Sequence, residues 1–201
     1  GHDYSDGDME GLKAILRYER QHGITSCCPT SMTLPEDSLK DIFINIRSLG
    51  EYREGATVQG INMDGPFLDP VRKGAHKESY ILKPDPELFN RLNRYSGGRI
   101  RIMTLAPNTE GAMEFIREFH DQVCISLGHT SADYDTARAA MQQGRILIVT
   151  GSPGTGKTTA AALVARESGM EKSVHMHTDD FYHYLSKGAV APHLPASNEQ
   201  N

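Results

Sequence analysis

Hydrophobic positions along the chain alternate between two spacings. Over residues 12–20 and 36–49 they recur every three to four positions. In the second run Leu39, Ile42, Phe43 and Ile46 fall on one face, which predicts a helix. Residues 23–30 read instead as a short buried strand ending in a turn at Pro29. A strand over 58–66 runs into a loop, and a long irregular stretch covers 68–83. Residues 86–95 predict a helix with Pro86 in its first turn. Then come a strand over 100–106, a helix over 111–120 and a strand over 123–129. An Ala-rich helix over 132–143 stops at Gly144. The most apolar strand, 145–150, is followed by a Gly-rich loop, a helix over 157–167 and a strand over 173–176. This alternation predicts an α/β fold with a parallel sheet and right-handed crossovers. A (β/α) barrel and an open doubly wound sheet both fit, and both place chemistry at the carboxyl ends of strands.

Composition narrows the class. The chain has 201 residues, 38% hydrophobic and 23% charged, which suits a globular protein. Its net charge of −5 argues against a nucleic-acid partner held through phosphates. No run approaches the roughly 18 apolar residues that span a bilayer, so no membrane partner is expected. Cys27, Cys28 and Cys124 are odd in number and two are adjacent, a poor disulfide framework. A reducing cytoplasm is the expected location, with the thiols packed rather than reactive.

The run Gly151-Ser152-Pro153-Gly154-Thr155-Gly156-Lys157-Thr158-Thr159 matches G-x-x-x-x-G-K-[ST] between a strand and a helix. Glycines let backbone N–H groups converge on an anion, and the helix N-terminus adds positive potential. Lys157 would reach the β- and γ-phosphates and Thr158 would ligate Mg²⁺, so ATP with Mg²⁺ is the expected ligand. The next strand ends in His175-Met176-His177-Thr178-Asp179-Asp180. This half resembles P-loop small-molecule kinases. The resemblance implies a place for Asp179 beside the transferred phosphoryl group, accepting a hydroxyl proton or holding Mg²⁺ through water. It covers only 145–201, without the further strands, second acid and arginine lid of those enzymes.

Residues 1–144 carry a different signature. Gln59-Gly60-Ile61-Asn62-Met63-Asp64-Gly65-Pro66-Phe67-Leu68 leads into Lys73-Gly74-Ala75-His76, and Ser126-Leu127-Gly128-His129-Thr130-Ser131-Ala132 follows later. Together with Thr104-Leu105-Ala106-Pro107 these closely resemble N-acetylglucosamine-6-phosphate deacetylases, metal-dependent amidohydrolases on a TIM-type (β/α)8 barrel. The resemblance implies an amino-sugar phosphate substrate and a divalent metal, Zn²⁺ or similar, held by a Glu and two His. Here the Glu position is Asp64, one methylene shorter, and the first His is His129. Gly74, Ala75 and His76 correspond to the loop that contacts the substrate. The family's His-x-His, its second metal His and its catalytic Asp have no counterpart, so deacetylation is expected to be lost or nearly so.

The expected organisation is therefore a partial deacetylase-like barrel over 1–144, continued by a P-loop strand-loop-helix segment over 145–201. The seam at Gly144/Arg145 reads as a chimera truncated relative to both parents. Open sheet edges would favour self-association. Three functions remain open: an amidohydrolase-derived metal and sugar-phosphate binder, an ATP-binding kinase-like module, and a chain without native activity.

Overall fold

The computed structural model describes residues 2–143 and the backbone of strand Ile148–Val149. The phosphate-loop residues 151–159, His175, His177 and Asp179 lie outside the described residues.

Helices α1 (Met9–Gln21), α2 (Glu36–Ser48), α3 (Pro86–Tyr95), α4 (Ala112–Phe119) and α5 (Tyr134–Met141) alternate with short strands. These are β1 (Ser26–Cys27), β2 (Thr30–Ser31), β3 (Thr57–Val58), β4 (Ile61–Asp64), β5 (Ile100–Leu105), β6 (Cys124–Leu127) and β7 (Ile148–Val149). The sheets run β2-β4-β5-β6-β7 and β1-β3, with every pairing parallel. The α/β class and the parallel sheet are as expected. Strand β7 adds to β6 through Ser126↔Ile148 and Leu127↔Val149, so the sheet extends past residue 144.

Two expected strands are each divided. Residues 23–30 hold β1 and β2, and residues 58–66 hold β3 and β4. Pro29 has no N–H to give to a ladder, so pairing lapses there. Cys27 faces Val58 and Thr30 faces Asn62, so three steps on one side match four on the other. The extra residue lies in the stretch that contains Gly60, as in a bulge. A Cβ on Gly60 would collide with the Arg101 side chain and come within 3.0 Å of the Arg99 carbonyl. Arg101 is itself skipped in the β4–β5 register, where Ile61 faces Ile100 and Asn62 faces Ile102.

Local chemistry explains the helix starts. Asp8 accepts from the N–H groups of Glu10 and Gly11, and Asp85 from those of Glu87 and Leu88. Asp133 caps α5 through Thr136. Each removes orphan donors from a first turn. Helix α2 begins after Pro35 without a side-chain cap and carries Glu36 and Asp37 in its first turn instead. Those charges complement the helix dipole. Glu36 also takes a two-point hydrogen bond from Arg91 at 2.8 and 3.0 Å, which ties α2 to α3.

The core under α3 and α4 is aromatic. Phe67, Phe89, Phe115 and Phe119 are fully buried. Their ring centroids lie 4.5–5.5 Å apart, mostly edge to face. Phe115 touches all three of the others. No helix among the described residues is long and apolar enough to cross a membrane. Truncating the hub, Phe115→Ala, is expected to cost about 3–5 kcal/mol of stability. Urea denaturation measures this, and a loss below about 1 kcal/mol would show that the cluster does not hold the core.

Candidate metal centre

Parallel pairing brings the carboxyl ends of β4, β5 and β6 to one side of the sheet. Asp64 is the last residue of β4. The chain turns at once through Gly65, whose φ is +85° and whose Cβ position is taken by the Thr33 hydroxyl. Only glycine fits both conditions. The loop that follows returns His76 to the carboxylate, and the turn after β6 adds His129.

Both imidazoles converge on one oxygen. His76 Nε2 lies 3.4 Å from Asp64 Oδ2, and His129 Nε2 lies 3.5 Å from the same atom. The two rings stand edge to face, 4.6 Å apart. Asp64 Oδ1 is buried and has no hydrogen-bond partner. One ligand atom from each of the three residues falls within 4.8 Å of the others, a group able to hold a metal ion.

The backbone distinguishes the two histidines. His76 is 3% exposed, and its Nδ1 accepts the Thr33 N–H at 3.2 Å. An N–H can only donate, so the neutral ring carries its proton on Nε2, facing the carboxylate. Burial pushes the His76 pKa down and outweighs the Asp64 carboxylate, which pulls it up. His129 is the opposite case. Its Nδ1 meets the Arg72 carbonyl at 3.2 Å. A carbonyl only accepts, so Nδ1 carries a proton, and in the neutral ring the Nε2 lone pair faces Asp64. With His129 neutral, Asp64 and His129 present two lone-pair atoms to each other, an arrangement that a metal ion can bridge. His76 serves the carboxylate as a hydrogen-bond donor, in the way outer partners orient a metal ligand.

The sequence-based sites fall as follows. Asp64 and His129, expected as metal ligands, come together. His76, expected at the substrate, is turned inward with both ring nitrogens engaged. Gly74 lies beneath His129, where a Cβ would sit 3.4 Å from its Cε1, and Ala75 is exposed. Asp69 and Asn108 escaped sequence reasoning, although with Ser131 they form a hydrogen-bonded network around the buried Asp69 carboxylate at this end of the sheet. An Asp followed by Pro with its own cap pattern was the available signal. A cavity of about 400 Å³ lies elsewhere, against β3 and lined by Arg20, Glu51, Tyr52 and Arg53.

A parallel α/β sheet with a carboxylate–histidine cluster at its strand ends has the form of part of a (β/α) barrel. Comparison with known proteins is narrower. The chain is 34% identical over 156 residues to N-acetylglucosamine-6-phosphate deacetylase of Bos taurus, covering 74% of this chain and 38% of that protein. The Bacillus subtilis enzyme of the same name is 34% identical over 138 residues, covering 66% and 35%. The crystal structure of the Mycobacterium smegmatis deacetylase superposes with a TM-score of 0.65 at 29% identity, over 71% of this chain and 37% of that one. The D267A mutant of that enzyme, solved in complex with N-acetyl-D-glucosamine-6-phosphate, superposes equally well. No family model matches the chain. The chain resembles N-acetylglucosamine-6-phosphate deacetylases and spans 35–38% of the length of these two curated relatives.

The two tautomers are directly measurable. Long-range ¹H–¹⁵N correlation spectra of metal-free protein at neutral pH should show a proton on Nδ1 of His129 and none on Nδ1 of His76. An Nδ1 proton on His76 would contradict the assignment.

Proposed function

We propose that the described part of the chain is a deacetylase-type amidohydrolase segment that holds one divalent metal ion between Asp64 and His129 and receives an amino-sugar phosphate there. The observation that carries this is the meeting of the His129 Nε2 lone pair with a carboxylate whose second oxygen is buried and unpartnered. One oxygen and one imidazole nitrogen suit Zn²⁺. When bound, such an ion supplies Lewis-acid polarisation of an amide carbonyl. The chain's own residues prepare the place. His76 steadies Asp64, and Gly74 leaves room beside the His129 ring. The exposed loop with Arg72, Ala75 and Lys77 forms the approach, and its cations suit a phosphate group.

Self-association through sheet edges belongs to the same proposal, with β2 at one edge. So does a cytoplasmic location. Cys27, Cys28 and Cys124 form no disulfide, and burial pushes each thiol up in pKa, which suits a reducing compartment.

Calorimetric titration of metal-free protein with Zn²⁺ tests the centre. About one site per chain is expected, with affinity lowered about tenfold or more in Asp64→Ala and in His129→Ala. A stoichiometry far below one in the unaltered chain, or variants that bind as well, would sink the proposal.

A second activity rests on the uninterrupted match at Gly151–Thr159. We propose that Lys157 and Thr158 hold the phosphates and Mg²⁺ of ATP, with Asp179 beside them. Titration with a fluorescent ATP analogue should show binding that Lys157→Ala abolishes. Equal binding by both proteins refutes a working phosphate loop.

A further inference from the structure

Asp69 follows β4 and is 5% exposed, yet it makes hydrogen bonds in the loops after β4, β5 and β6. Its Oδ1 accepts the Val71 N–H at 2.9 Å. Its Oδ2 accepts Asn108 Nδ2 at 2.8 Å, the Ser131 N–H at 3.2 Å and the Ser131 hydroxyl. Asn108 lies after β5 and Ser131 after β6. The Thr130 hydroxyl donates to Asn108 Oδ1, which fixes the amide with its nitrogen toward Asp69. Burial raises the Asp69 pKa, but the bonds from Ser131, Asn108 and Val71 outweigh it and hold the carboxyl below its usual range.

These contacts converge on His129. Among the described residues it is the only non-glycine with positive φ, at +49°. Such a conformation persists only where the surroundings impose it. The Asp69 N–H donates to the His129 carbonyl at 3.0 Å, while the Asp69 side chain holds the N–H of Ser131 two residues later. The third contact runs through the turn Pro70–Arg72. The Asp69 side chain caps this turn through Val71, and its backbone carbonyl closes it by accepting the Arg72 N–H at 2.9 Å. The Arg72 carbonyl is thereby delivered to His129 Nδ1.

We propose that Asp69 is the positioning residue of the metal centre: it holds His129 in its left-handed backbone conformation and, through the Arg72 carbonyl, in the tautomer whose Nε2 lone pair faces Asp64. The inference rests on the metal-binding reading above. A plain loop staple would leave the tautomer of His129 indifferent to Asp69, whereas a positioning residue governs it.

Asp69→Asn, in the full chain, replaces one acceptor oxygen by a donor facing Asn108 and Ser131. It should lower Zn²⁺ affinity about 10- to 100-fold by calorimetry. In metal-free protein it should turn the single Nδ1–H signal of His129 into a mixture of tautomers. Asn108→Ala, which leaves both Asp69 bonds to Ser131 and the Pro70–Arg72 turn in place, should lower the melting temperature without moving that signal. Wild-type affinity together with an unchanged tautomer in Asp69→Asn overturns the proposal. If that variant does not fold, Ser131→Ala decides: it removes one hydroxyl bond and should shift both readouts in the same direction by less, and no shift overturns it. Should the unaltered chain take up no Zn²⁺, the metal reading fails, and the tautomer comparison still decides whether Asp69 positions His129.

Discussion

Parallel pairing of β4 with β5, and of β5 with β6, is the constraint from which the rest of the site follows. Parallel strands all end on the same side, so the loops that leave them crowd together there. Every loop brings backbone donors and acceptors that need partners away from water. The answer in this chain is a buried carboxylate, Asp69, shared among three loops, and the cluster of Asp64, His76 and His129 sits beside it. Organisation of the loops and organisation of the histidines are one problem, met by one set of hydrogen bonds.

The cluster itself shows how backbone contacts choose side-chain chemistry. Two histidines face the same oxygen at nearly the same distance. What separates them is the group behind each ring. An amide N–H behind His76 makes that residue a donor toward Asp64. A carbonyl behind His129 holds the proton on Nδ1 and, in the neutral ring, leaves Nε2 as the acceptor. The shortened acid, Asp64 where relatives of this kind carry Glu by the resemblance, still lies within reach of both rings.

Much of the fold was legible in the hydrophobic pattern. The helix expected over 86–95 is Pro86–Tyr95, and the strand expected over 100–106 is Ile100–Leu105. Both have a strong period and clear stops. The divided strands were not legible, because apolar runs such as 23–30 carry no mark of where ladder bonds lapse beyond Pro29 itself. Asp64 and His129 were found because motif and strand end coincide. The inward turn of His76 depends on the Thr33 N–H, 43 residues away in sequence, and no local pattern reports it. Asp69 was missed for a related reason. A loop aspartate next to proline reads as a solvated turn, and only the assembled loops show it to be buried.

The extra residue around Gly60 has a consequence of parity. Successive side chains on a strand point to opposite faces, so adding or removing one residue inverts everything downstream until the next irregularity. Ile61 and Met63 are buried while Asn62 and Asp64 take the other face. With one residue fewer at 59–60, pairing to β2 could continue without a bulge, but Asp64 would exchange faces with Met63. The acid would be sent into the hydrophobic layer and a thioether set before the two histidines. A glycine with no functional group of its own thus decides which side of the sheet carries the charge.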